Sequence, residues 1–209
     1  MPRRIVFYAL LAILAPFAWA TPAEAAIASV EDAIAERALG KPDAPVTIVE
    51  YASLGCSHCA DFHRDTLPRI KAAYIDTGKV RLVFSDFPLG APAVAAAMVA
   101  RCAPRDAYFG LIDMFFREQA RWAGSREPQK EIARIGRFAG LSDKDVEACI
   151  ALDPLLAVIR DRAEDASRRH NINSTPSFVI DGTLITGAQP FEAFRAAIDA
   201  ALAKKAAKQ

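Results

Sequence analysis

The feature that most limits the fold is a β-branched run, Val46-Thr47-Ile48-Val49-Glu50-Tyr51, which ends at Gly55 and leads directly into Cys56-Ser57-His58-Cys59. A run so apolar, after Pro42 and Pro45, predicts a central strand covered on both faces. Beyond Gly55 the pattern predicts a helix from about Cys56 to Asp76, interrupted near Pro68 and closed by Gly78. A second strand, Val80 to Phe87, stops at Pro88. Strand, helix and strand with that crossover length make a parallel pair, so the centre of the chain is α/β.

The flanks follow from periodicity. Ile27, Val30, Ile34 and Ala38 recur at helical spacing and predict a short amphipathic helix over residues 27–39, closed by Gly40. Between residues 92 and 152 alanine-rich segments follow one another without a strand-like run. Helical spacing persists in Tyr108, Leu111, Ile112 and Phe115 and again in Ile132, Ile135, Phe138 and Ala139. This stretch is expected to be an all-helical insert. A long helix from Leu155 to about His170 leads back to Ser177-Phe178-Val179-Ile180, the turn Asp181-Gly182 and Thr183-Leu184-Ile185, a hairpin signature, before a final helix from Phe191 to about Lys204. The expected organisation is one α/β domain in two pieces, residues 26–90 and 154–209, with a helical insert domain over 91–153.

Residues 1–25 are expected to be a signal peptide. Arg3 and Arg4 precede an apolar run from Ile5 to Ala20 that is short for a bilayer span and broken by Pro16, and Ala23-Glu24-Ala25 supplies a small-x-small site for cleavage before Ala26. Ala18-Trp19-Ala20 is a second candidate site, and a retained anchor is the alternative. Export places the mature chain in the periplasm, where disulfides form and persist. With 26 basic and 25 acidic side chains, a net +1, the surface lacks the basic field needed to hold nucleic acid.

Four cysteines are too few for a disulfide-built miniprotein, so any disulfide has a chemical or local role. Cys56 falls where a strand turns into a helix, over backbone amides that the helix leaves unpaired, a setting that favours thiolate. His58 adds a donor or a positive charge nearby. Cys56 is therefore expected to be the attacking thiol, with a lowered pKa, and Cys59, one turn inward, the resolving thiol. A Cys-x-x-Cys is also half of a zinc site, and His58, His63 and His170 are the histidines that could complete one. No second Cys-x-x-Cys exists to do so, and no metal is expected. Glu50, enclosed in the apolar strand, is suited to pass a proton to Cys59; the alternative is a carboxylate reaching solvent at a strand end. Thr175-Pro176 opens the strand of the hairpin. If its peptide bond is cis and faces the cysteines, the Thr175 backbone can pair with an extended substrate chain; otherwise the proline is a loop breaker. Cys102 and Cys149 lie on separate helices of the insert and are expected to pair as a structural disulfide, two buried free thiols being the alternative.

Taken together, Glu50, Cys56-Ser57-His58-Cys59 behind a leader, the helical insert, and Thr175-Pro176 before a hairpin and helix resemble the DsbA family of exported thiol-disulfide oxidoreductases. The likeness runs from about Pro45 to the C-terminus. It implies a thioredoxin fold interrupted by a helical domain, a cis Pro176 facing the cysteines, Cys56 as nucleophile and Glu50 as the buried acid. A second disulfide in the insert is similar to an alphaproteobacterial branch. Ser57 stands where the best-known members carry proline, and Thr175 is similar to what isomerases carry at that place. The implied activity is an oxidase acting on reduced or unfolded exported proteins without a bound cofactor, reoxidised by a membrane partner of the DsbB type. An isomerase or reductase kept reduced by a DsbD-type partner is the runner-up, and a metal-binding or chaperone-like module is the reading from another class. Only about 20 residues separate Ala26 from the first strand, too few for the oligomerising arm of the isomerases, so a monomer is expected.

Overall fold

The computed structural model describes residues 27–207. The expected signal segment lies outside the described residues, and among those described no helix is long and apolar enough to cross a membrane.

Strand β2 (Val46–Ala52) is central. Strand β3 (Val80–Asp86) runs parallel to it, Val46 opposite Val80 and Ala52 opposite Asp86. On the other side β4 (Ser177–Ile180) is antiparallel to β2, with Glu50 opposite Phe178, and β5 (Thr183–Thr186) completes the hairpin. Asp181 and Gly182 both have positive φ, 47° and 90°, the pairing that a two-residue hairpin turn requires. The outer strand beyond β3 is β1 (Arg37–Leu39), giving the order β1-β3-β2-β4-β5.

Strand β1 corrects the sequence reading, which extended one helix over residues 27–39. Helix α1 covers only Val30–Ile34, with the Ser29 hydroxyl accepting the Asp32 amide N–H at 3.2 Å. The open edge of β3 then captures the chain, Arg37 opposite Phe84, and Arg37 is buried with its guanidinium on Asp32. Pairing to an unfilled sheet edge outweighs the weak helical periodicity of so short a segment.

The helix after Cys56 is interrupted near Pro68 as expected, by widening rather than by a break. Helix α2 (Ser57–Asp61) passes into a π turn (Phe62–Thr66), then α3 (Leu67–Ile70) and a second π turn (Lys71–Ile75). The Leu67 N–H reaches back five residues to the Phe62 carbonyl, a widened turn just ahead of the proline that has no N–H to give.

Alternation along β2 points Val46, Ile48, Glu50 and Ala52 to one face. Val46 and Ile48 pack there with Phe62, Ile70, Phe178, Phe194 and Ile198, beneath α3 and helix α10 (Phe191–Ala206). Helix α9 (Asp153–His170) covers the opposite face, its Ala166 against Tyr51 and Val179.

Between β3 and α9 come α4 (Ala91–Cys102), α5 (Tyr108–Arg117), α6 (Gln119–Trp122), α7 (Pro128–Gly136), a tight turn (Arg137–Ala139) and α8 (Asp143–Ile150). After Gly136 the helix tightens, and Phe138, which helical spacing would bury, is exposed. Gly136 lets α7 approach α8 closely, since a Cβ there would lie 3.1 Å from a Val146 methyl. The core of these helices is continuous with Ala52, Leu54, Cys59 and Phe84, so the insert roofs the end of β2 that carries the cysteine motif. A buried ion pair between Arg101 of α4 and Asp86 of β3 ties it there, and Arg101 also donates to the carbonyls of Ala33 and Ala35.

Candidate active site

Strand β2 ends beneath the insert, and the turn Ser53-Leu54-Gly55 sets Cys56 at the head of α2. The buried Ser53 hydroxyl accepts the amides of Gly55 (3.3 Å) and Leu89 (3.1 Å), and Gln119 of α6 donates to the carbonyls of Leu54 (2.6 Å) and Cys56 (3.0 Å). The insert thus holds the turn that presents the motif. Cys56 is extended (φ −91°, ψ 121°) in the position that caps α2. Its thiol donates to the Thr175 carbonyl at 3.3 Å, across a cis Thr175–Pro176 bond at the mouth of β4.

The two thiols, one helical turn apart, have opposite electrostatics. The Cys56 pKa is lowered from 9.0 to about 5. Hydrogen bonding to the Cys59 thiol is the main cause; burial opposes it, and the backbone amides of Cys59 and His58 reinforce it. Cys59 is fully buried, and burial pushes its pKa far above the ordinary thiol range, helped by its hydrogen bond to Cys56 and by the charges of Cys56 and Glu50. The surroundings thus favour the thiolate at Cys56 and the protonated thiol at Cys59.

Glu50 is fully buried rather than reaching solvent. Its Oε1 lies 2.9 Å from Nε2 of His63, and its Oε2 makes no hydrogen bond among the described residues. The His58 ring is 74% exposed, 3.8 Å from Asp61. The expectation that this ring acts on Cys56 is corrected here: the backbone amide of His58, not its imidazole, reaches the sulfur.

His63 and Gln119 are the residues the sequence reading did not place in the site. His63 follows Cys59 by four positions, a spacing that puts two helical residues on one face, so a signal for it existed. Gln119 had none, because its partners are more than sixty residues away in the chain. The three histidines do not converge: His63 is on Glu50, His58 is exposed beside Asp61, and His170 lies against Tyr51. Among the described residues no group of three or more potential ligands is placed to hold a metal ion. Cys102 and Cys149 are joined, Cα atoms 6.0 Å apart, linking the end of α4 to α8.

A five-stranded sheet flanked by helices, with Cys-x-x-Cys heading a helix opposite a cis-proline, defines a thioredoxin-like protein. The thioredoxin family model matches residues 32–200, and the chain belongs to that family. Within it, the chain is a member of the DsbA-like family. The crystal structure of Wolbachia pipientis alpha-DsbA1 superposes with a TM-score of 0.77 at 30% identity, over 83% of this chain and 94% of that one. A protein-disulfide isomerase from Novosphingobium aromaticivorans aligns with a TM-score of 0.68 at 27% identity, over 80% of this chain and 97% of that one. A Rickettsia conorii protein named as a protein-disulfide oxidoreductase is 29% identical over 81% of this chain. The chain spans 61% of that relative's length.

Proposed function

We propose that this chain is an exported thiol-disulfide oxidase that donates a Cys56–Cys59 disulfide to folding secreted proteins. The observation that carries the reading is the asymmetry of the two thiols: Cys56 half-exposed at the head of α2 against the Thr175 carbonyl of a cis-proline bond, in a setting that lowers its pKa, beside a fully buried Cys59 whose pKa is raised. A substrate thiolate attacks Cys56 Sγ of the oxidised pair, a mixed disulfide forms, and Cys59 leaves as a thiolate that takes up a proton. A second substrate thiolate then attacks the substrate sulfur of that mixed disulfide and releases Cys56, again as thiolate. The substrate gains a disulfide and the protein keeps two electrons. Because Cys56 is a good leaving group, the reduced protein is the favoured product. Each unit by which its pKa lies below ambient pH makes the pair about 30 mV more oxidising.

Substrates are reduced or unfolded exported proteins, whose extended segment pairs with the Thr175 backbone beside Pro176. A quinone-linked membrane oxidase of the DsbB type accepts the electrons, so no bound cofactor is required. Residues 1–25 direct the chain to the periplasm, where it works as a monomer. Its catalytic domain comprises residues 26–90 and 154–209, and its insert, 91–153, is stapled by the Cys102–Cys149 disulfide. Glu50 serves the buried thiol as its proton partner. Glu50→Gln should slow resolution of a mixed disulfide at Cys56 by Cys59 more than its formation; equal slowing of both steps would refute that role.

Titration of the Cys56–Cys59 pair against a glutathione buffer tests the direction of electron flow. A potential above about −180 mV is expected for a disulfide donor. A value near about −270 mV would assign the chain instead to the reductases and isomerases, with a DsbD-type partner.

A further inference from the structure

We infer that His63 is the proton exit of the site: it connects the buried Glu50 carboxylate to a surface cleft through which the proton of Cys59 enters and leaves. The inference rests on the reading of Glu50 as the proton partner of Cys59.

Glu50 is sealed from solvent, so a proton that reaches it must move on through a neighbour. Its only hydrogen-bond partner among the described residues is His63, at 2.9 Å through Oε1. The His63 side chain is itself 7% exposed, held by aromatic rings: Phe116 with centroids 4.3 Å away, and Phe62 and Phe84 at 5.6 and 6.0 Å. On its far side His63 helps to line a cleft of about 470 Å³ between the helix that begins at Ser57 and helix α5. The charged groups around that cleft are Arg64, Asp113 and Arg117, of which Asp113 and Arg117 pair at 3.0 Å and Arg64 pairs with Asp61 and Asp65. An imidazole with two nitrogens, one on a buried carboxylate and the ring at a wet cleft, can accept a proton on one side and release it on the other.

The proton balance follows from the disulfide chemistry. When substrate attack expels Cys59 as a thiolate, one proton passes from solvent to His63, from His63 to Glu50 and from Glu50 to Cys59 Sγ by way of one water, since Glu50 makes no direct hydrogen bond to the sulfur. When Cys59 attacks a mixed disulfide at Cys56, its proton takes the reverse path. The Cys56–Cys59 bond forms, the bond from Cys56 to the other sulfur breaks, and the departing thiolate is protonated by water. His63 acts through Glu50 and is a positioning and relay residue; it does not touch a reacting sulfur.

The test uses the full protein, reduced and mixed with oxidised glutathione, with acid-quenched samples resolved by mass to separate formation of the Cys56–glutathione mixed disulfide from glutathione release by Cys59. His63→Ala should slow release by about 10- to 100-fold at neutral pH and leave formation unchanged. Added imidazole, small enough for the enlarged cleft, should restore release in proportion to its free-base concentration. His63→Gln, which can still hydrogen-bond Glu50 but cannot carry a proton, should also be slow. Parental release in His63→Gln would overturn the inference and leave His63 a packing residue, even if His63→Ala folded poorly. If Glu50→Gln slows release while both His63 variants release at the parental rate, the exit path fails and the reading of Glu50 stands. If Glu50→Gln is also parental, both fall.

Discussion

Cys56 and Cys59 sit one helical turn apart, and what distinguishes them is access to hydrogen-bond donors and to water. Absorbance of the thiolate, or alkylation rate against pH, should show Cys56 titrating with a midpoint near 5 while Cys59 remains unreactive in the folded protein through pH 9. His58→Ala should move that midpoint little, because the amide that reaches the sulfur survives the substitution. A large upward shift would restore the exposed ring to a direct role. The same shift sets a pH dependence of stability. A group whose pKa falls on folding stabilises the folded state fully above its unfolded value, 9.0, and loses that contribution as pH falls through its folded value, about 5. The melting temperature of the reduced protein relative to the oxidised one, which has no titrating thiol here, should therefore rise between pH 5 and 9. A flat or falling difference would contradict the assignment. The sequence pointed to Cys56 as the acidic thiol through its place at a strand-to-helix junction. Which groups stabilise it was not, because the direction of the His58 ring is set by its exposure on the folded surface.

Among the elements, long periodic segments were legible and short ones were not. The parallel strands, the hairpin at Asp181-Gly182 and the helices of the insert all follow from patterning and turn chemistry. Strand β1 escaped because three residues carry no reliable period, and only the open edge of β3 decides them. The π turns around α3 escaped because a proline announces a disturbance without saying whether the helix will break or widen. Helix α6 makes the contact of most consequence for function, the Gln119 amide on the Leu54 and Cys56 carbonyls. Gln119→Ala leaves those carbonyls without this donor and should lower stability by about 1–3 kcal/mol in chemical denaturation. It should also speed hydrogen exchange at the Gly55 and Cys56 amides. An unchanged exchange rate there would mean that the Ser53 hydroxyl holds the turn by itself.

At the scale of the whole molecule, the insert and the sheet share one core at the end of β2, and two long-range ties hold them in register, Arg101 on Asp86 and Gln119 on the motif turn, while the Cys102–Cys149 disulfide staples the insert itself. The disulfide closes a sequence separation of 47, worth about 4 kcal/mol when the unfolded chain is constrained. Replacing both cysteines by alanine should lower the unfolding free energy measured in urea by an amount of that order while the Cys56 titration stays in place; a shift of that titration would show that the staple also sets the geometry of the active turn. The sequence by itself determined the α/β order, the helical insert and the placing of a Cys-x-x-Cys at a strand-to-helix junction, because periodicity, turn residues and a cysteine spacing are local and act over a few residues. Only the tertiary structure decided the partner of Glu50, the source of the Cys56 stabilisation and the capture of β1. Burial, hydrogen-bond geometry and sheet edges arise when segments distant in the chain are brought into contact, and no local pattern specifies which segments those are.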